Sequence, residues 1–131
     1  MCGIAGYFNP DQNYAENPKQ NFHTLSRMIN TMNHRGPDTY GHTIINSCCL
    51  AHTRLSIIDL ENGRQPMSYT KDGNTYYIVY NGEIYNYKEV KKTLLWKNYT
   101  FETNSDTEVI IAAFCHYGPG FVKELNGIFA I

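Results

Sequence analysis

Cys2 is the residue around which reactive chemistry could be built. It directly follows Met1 in the uncharged run Met1-Cys2-Gly3-Ile4-Ala5-Gly6-Tyr7. Removal of Met1 leaves a thiol and a free α-amine on one Cα. The thiolate is the reactive form of cysteine and needs a base at neutral pH. An α-amine titrates near ~7.7–8.0, so part of it is free base there. Nucleophile and base then share one residue, in contact directly or through a water. The competing reading is a buried strand whose cysteine packs as a small hydrophobe.

Three further places carry candidate chemistry. Arg54 follows a predicted strand, and its planar guanidinium suits bidentate capture of a carboxylate; the alternative is a surface arginine paired with an acid. Asn81-Gly82-Glu83 reads either as a hairpin turn or as an oxyanion hole. In the second reading an asparagine side-chain N–H and a glycine backbone N–H converge on one developing charge. Asp106 either favours the positive end of a helix or holds a ligand ammonium, and the two roles are compatible. Cys48 and Cys49 with His34, His42 and His52 match no common zinc spacing, so they read as buried strand cysteines and no metal is expected. No glycine-rich phosphate loop occurs.

Hydrophobic periodicity and turn residues predict the elements that place these groups. Gly3 to Phe8 reads as a buried strand, and Asn9 to Asn21, with Pro10 and Pro18, as loop. Phe22, Leu25, Met28, Ile29 and Met32 recur at helical spacing and predict a helix ending near Asn33. His34-Arg35-Gly36-Pro37-Asp38 breaks it. Gly41 to Ile45 and Cys48 to Thr53 form a hairpin around Asn46-Ser47. Leu55 to Leu60 is an apolar run, followed by a loop to Pro66. Met67 to Thr70 and Thr75 to Tyr80 flank an Asp72-Gly73 turn, a strong hairpin signal. Asn81-Gly82 ends that second strand. Asn86 to Lys97 reads as a helix with Val90, Leu94 and Leu95 inward, and Tyr99 to Glu102 as a further strand. Ser105 and Glu108 form a capping box ahead of an apolar helix that Gly118-Pro119 stops. Phe121 to Leu125 is a helical turn, and Ile128 to Ile131 a strand.

Composition sets the outer bounds. The 131 residues, 42% hydrophobic and 18% charged, suit one domain with a real core. Eleven tyrosines and six phenylalanines favour β structure. Net charge is −1 with no basic block, so nucleic acid is not an expected partner. No apolar run reaches membrane-spanning length, and the first residues lack a signal-peptide pattern. Four irregularly spaced cysteines then suggest a reduced, cytoplasmic protein.

Taken in order, Cys2-Gly3-Ile4-Ala5-Gly6, Arg35-Gly36-Pro37-Asp38, His52 to Asp59, Asn81 to Asn86 and Ser105 to Glu108 resemble class II glutamine amidotransferases. Their arginine motifs look like those of the glutaminase domain of glutamine-hydrolysing asparagine synthetases. The resemblance runs from Cys2 to Phe129. It implies an α+β fold, the four-layer αββα sandwich of N-terminal-nucleophile hydrolases with antiparallel sheets, incomplete at the C-terminus. Residues 1–131 would be the N-terminal portion of a glutaminase domain, with the synthetase domain absent. It implies Cys2 as nucleophile, Asn81 and Gly82 as oxyanion hole, Arg54 on the glutamine α-carboxylate and Asp106 on its α-ammonium. Leu55, Ser56, Ile57, Ile58 and Glu83 would line the pocket. Glutamine is the implied substrate and ammonia the product passed on. No cofactor is implied in this chain; ATP and Mg²⁺ would serve the synthetase domain, which turns aspartate into asparagine. That domain is the expected partner, with a homodimer as a further assembly. Two other readings stand beside this one: a non-catalytic or truncated module of the same fold, and an amidotransferase with a different acceptor.

Overall fold

The computed structural model describes residues 2–54 and 64–131. Strand β1 (Gly3–Phe8) is the edge of a three-stranded sheet, and β2 (Thr39–Ile45) and β3 (Cys48–Arg54) form the predicted hairpin. The order is β1-β3-β2. All strand pairing among the described residues is antiparallel. Register is strict, with Gly3 opposite Thr53 and Thr39 opposite Arg54. Side chains alternate across a strand, so this register sends Tyr7, Ile44, Cys49 and Ala51 to one face. Helix α1 (Pro18–Asn30) covers that face with Leu25 and Ile29, both buried.

Helix α1 starts earlier than its apolar spacing suggests. Pro18, expected in the loop, stands in the first helical turn. There its missing N–H would have had no partner in any case, and its fixed φ already suits the helix. The helix ends at Asn30 rather than near Asn33, and Met32 and Arg35 continue the chain through turns.

A second core lies around two further helices, α2 (Tyr87–Trp96) and α3 (Asp106–Tyr117). It holds Ile78, Tyr80, Ile84, Val90, Leu94 and Ile110 among its buried residues. Burying side chains such as Leu94 and Ile110 contributes roughly 1.5–3 kcal/mol each. Against it pack Met67, Tyr69 and Tyr76 of the hairpin β4 (Met67–Lys71) and β5 (Asn74–Ile78). Its turn has Asp72 and Gly73 at φ 51° and 79°, the doubly left-handed turn that Asp-Gly favours. The last pair is β6 (Asn81–Ile84) with β7 (Gly127–Ala130).

Several local expectations change here. Asn81-Gly82 does not end the preceding strand but opens β6, because β7 returns from far along the chain to pair with it. Leu95 points outward at 52% exposure, and Trp96 closes α2 at 81%. Tyr99 to Glu102 forms no strand; Tyr99 is buried, and the Glu102 and Thr103 amides donate to the Glu108 carboxylate instead. Glu108 is therefore diverted from the reciprocal half of a capping box. Ser105 does cap α3, accepting from Thr107 N–H at 3.2 Å.

Candidate active site

The Arg35-Gly36-Pro37-Asp38 turn folds back on the ends of β1 and β3. Arg35 Nε donates to the carbonyl oxygen of Cys2 at 3.1 Å. Pro37 bridges Arg54, and the Asp38 N–H donates to the Arg54 carbonyl at 3.2 Å. Cys2 lies one step beyond the Gly3–Thr53 pair. The register, continued by that step, sets it beside Arg54 and on the same face of the sheet. Arg54 is 9% exposed, which removes the reading of an ordinary surface arginine. Cys2 is half-buried and carries a free thiol.

A second group forms along β6. Antiparallel ladders alternate, so every second residue turns its N–H and C=O away from the partner strand. Tyr85 N–H donates to Asn126 O, which makes Glu83–Ile128 and Asn81–Ala130 the hydrogen-bonded pairs. Gly82 and Ile84 therefore point their N–H groups away from β7. The Ile84 N–H meets Asp106 Oδ2 at 3.3 Å. Just before the strand, the Tyr80 N–H is taken by Gln65 Oε1. Between these two filled positions the Gly82 N–H has no side-chain acceptor among the described residues. Gly82 also lies too close to β7 for any side chain, since a Cβ would collide with Ile128 O and with Phe129. Glu83 is exposed, and Asn81 half-buried.

Asp106 opens α3, as the sequence reading expected. Its Oδ2 also accepts from Tyr80 Oη at 2.7 Å. No donor among the described residues reaches Oδ1. Burial and the Asp106 carboxylate push the Tyr80 phenol well above its ordinary pKa, so it remains a donor.

His52 lies on β3 two residues before Arg54 and is 2% exposed. Burial lowers its pKa to about 4; the Tyr80 backbone opposes the shift and Arg54 adds to it. Its Nε2 is buried with no hydrogen-bond partner.

The predicted residues thus fall into two sets, Cys2 with Arg54 and Asn81, Gly82 and Glu83 with Asp106. Leu55, Ser56, Ile57 and Ile58 lie outside the described residues. Sequence reasoning gave no role to Arg35, Gln65 and Tyr80, and weighed His52 only as a metal ligand. Arg35 and His52 stand inside the family motifs, and Tyr80 directly precedes Asn81; no local signal marks Gln65. A cavity of about 950 Å³ runs along β1 beside α1, lined by Ile4, Phe8, Met28, Leu50 and Val79 among others. It is mainly apolar and contains none of the predicted site residues.

The sequence as a whole identifies the class. Residues 1–131 match the glutamine amidotransferase domain family, and the chain belongs to it. It is 43% identical over 134 residues to glutamine-hydrolyzing asparagine synthetase 1 of Bacillus subtilis, a match covering 99% of this chain and 20% of that protein. It is 40% identical over 130 residues to asparagine synthetase B of Escherichia coli, covering 99% and 22%. Amidase chyE of Penicillium rubens is 36% identical over 137 residues, covering 99% and 20%. The chain therefore spans about a fifth of the length of the curated relatives it matches. No helix among the described residues is long and apolar enough to cross a membrane.

Proposed function

We propose that this chain hydrolyses glutamine to glutamate and ammonia through a thioester on Cys2. Met1 is removed, and the α-amine of Cys2 accepts the thiol proton. The thiolate attacks the side-chain amide carbon, and the carbonyl oxygen becomes an oxyanion held by the Asn81 side chain and the Gly82 N–H. The intermediate collapses with cleavage of the C–N bond, and the protonated amine returns its proton to the departing ammonia. Water then adds to the thioester through a second oxyanion, and glutamate leaves as the thiol is restored. Arg54 holds the α-carboxylate and Asp106 Oδ1 the α-ammonium. Leu55 to Ile58 and Glu83 line the pocket.

In the whole protein the ammonia would pass to a synthetase region, where ATP and Mg²⁺ activate aspartate for conversion to asparagine. The four-layer αββα sandwich and a cytoplasmic homodimer belong to the same proposal. Its main support is the Gly82 N–H, left outside the β6–β7 ladder on the edge where Asp106 stands.

The test is made on the full-length protein. Cys2→Ala is expected to abolish glutamine-dependent activity and to keep ammonia-dependent synthesis. A glutamine-like electrophile should add its mass to Cys2 in a chain that has lost Met1. Retained Met1 with no adduct would favour a non-catalytic module. One observation favours a different acceptor, the similarity to an amidase that is not named a synthetase. Product analysis with ATP and aspartate separates the two acceptors.

A further inference from the structure

We propose that Tyr80 is a specificity-determining positioning residue for this reaction: its phenol fixes the Asp106 carboxylate in the orientation that receives the α-ammonium of glutamine. The inference rests on the glutaminase reading above and gives a role to a residue which that reading leaves unused.

The geometry is a short chain of hydrogen bonds. Tyr80 is buried, and its Oη donates to Asp106 Oδ2 at 2.7 Å. The Ile84 N–H reaches the same oxygen at 3.3 Å. Two donors on Oδ2 fix how the carboxylate is turned, and the shorter bond from the phenol provides most of the hold. At its backbone end Tyr80 is anchored through its N–H, which Gln65 Oε1 accepts. The chain then runs directly into Asn81 and Gly82. One rigid side chain therefore reaches from the start of the strand offering the Gly82 N–H to the carboxylate assigned to the ammonium. Those two places meet opposite ends of the same glutamine.

The position of Asp106 explains why it needs holding. It is the first residue of α3. Amides in an opening helical turn have no partner within the helix and attract a carboxylate. Ser105 serves the Thr107 N–H. An unrestrained Asp106 would turn towards the remaining amides and present less of its charge to a ligand. A short hydrogen bond from a hydroxyl to a charged acceptor opposes that rotation. Filling space does not require the hydroxyl, because phenylalanine supplies the same ring. A buried hydroxyl costs free energy unless it is bonded, and here its acceptor is the ligand-binding residue.

The experiment is a double-mutant cycle of Tyr80→Phe with Asp106→Asn in the full-length protein, with rates expressed per folded molecule. An interaction made equally in ground and transition states appears in KM and not in kcat. We expect Tyr80→Phe to lower kcat/KM for glutamine by about tenfold, the scale of a hydrogen bond to a charged group. The loss lies in KM, with kcat within about threefold of wild type. In the Asp106→Asn background the same change should alter kcat/KM by less than about threefold, because the group it acts through is gone. Unchanged kcat/KM in Tyr80→Phe, a fall carried by kcat alone, or an equal loss in both backgrounds overturns the role. Should Tyr80→Phe not fold, Tyr80→4-aminophenylalanine replaces it, since its N–H is a weaker donor of similar reach. A loss of about threefold or more that disappears with Asp106→Asn supports the role; no loss, or the same loss in both backgrounds, overturns it. Any of these failures in a chain that still hydrolyses glutamine leaves the glutaminase reading in place. A wild-type chain showing neither hydrolysis nor labelling at Cys2 overturns that reading, and the Tyr80 role with it.

Discussion

Arg35 Nε and the carbonyl oxygen of Cys2 are 3.1 Å apart, joined across 33 residues of chain. The bond pins the one peptide group that the candidate nucleophile contributes to the rest of the fold. A charged donor also makes it stronger than a neutral backbone bond.

Arg35→Lys keeps the charge but not the rigid, planar Nε–H. We expect alkylation of Cys2 by a glutamine-like electrophile to slow by roughly 10-fold, the scale of one charge-assisted hydrogen bond. Alkylation by a small haloacetamide, which needs no ordered site, should change far less. Equal slowing with both reagents would mean that Arg35 governs access to the thiol rather than its orientation.

Gly82 and Asn81 separate packing from chemistry. Gly82→Ala places a methyl group against Ile128 O and Phe129, and overpacking of this kind costs about 1–3 kcal/mol. Its lower denaturation midpoint should accompany any loss of activity. Asn81→Ala has no such collision to relieve, so its kcat should fall by ~10²–10³ with the midpoint nearly unchanged. A matched loss of stability in both variants would remove Asn81 from the oxyanion site.

Tyr80→Phe deletes the 2.7 Å bond to Asp106 Oδ2 and leaves the bond from Ile84 N–H in place. The expected loss is about 1.5–3 kcal/mol in unfolding free energy, as for hydrogen bonds to charged groups. In the wild type, absorbance titration should show at least two tyrosines, Tyr80 and Tyr7, still protonated after the exposed ones have ionised, because burial raises the pKa of both. Complete titration of the folded protein at ordinary tyrosine pH would contradict this.

His52 makes stability depend on pH. Its folded pKa, about 4, lies below the ordinary 6.5. Between those values the unfolded chain binds a proton that the folded chain refuses, so acid favours unfolding. The contribution is fully present above pH 6.5, declines as the pH falls, and is lost by about pH 4. Burial of the ring sets it; the Tyr80 backbone opposes the shift and Arg54 adds to it. Denaturant midpoints between pH 7 and pH 4 should fall less steeply in His52→Gln than in the wild type. Parallel slopes would show that His52 titrates normally.

What the sequence disclosed follows from how local each feature is. Asp72-Gly73 and Ser105 act within their own turn, and the structure places both as expected. Helix spacing found Leu25, Ile29, Val90 and Leu94 on buried faces. Failures arose where a distant segment decided the outcome. Asn81 became a strand because Ala130 came to pair with it. Glu108 left its cap because Glu102 and Thr103 offered better donors. Leu95 faces outward because α2 presents only Val90 and Leu94 to the core. The same limit applies to the candidate site. Residue types alone single out Cys2, Arg54 and Asp106, but the Tyr80 partner of Asp106 is reached only through the fold.

The chain's single tryptophan, Trp96, has 81% of its surface in contact with water. Its emission is already that of a hydrated indole in the native state, and its position at the end of α2 puts it outside both candidate residue sets. Unfolding or glutamine binding will scarcely shift its colour. Spectroscopy on this chain has to rely on its eleven tyrosines, several of them packed in pairs such as Tyr7 with Tyr14 and Tyr69 with Tyr99.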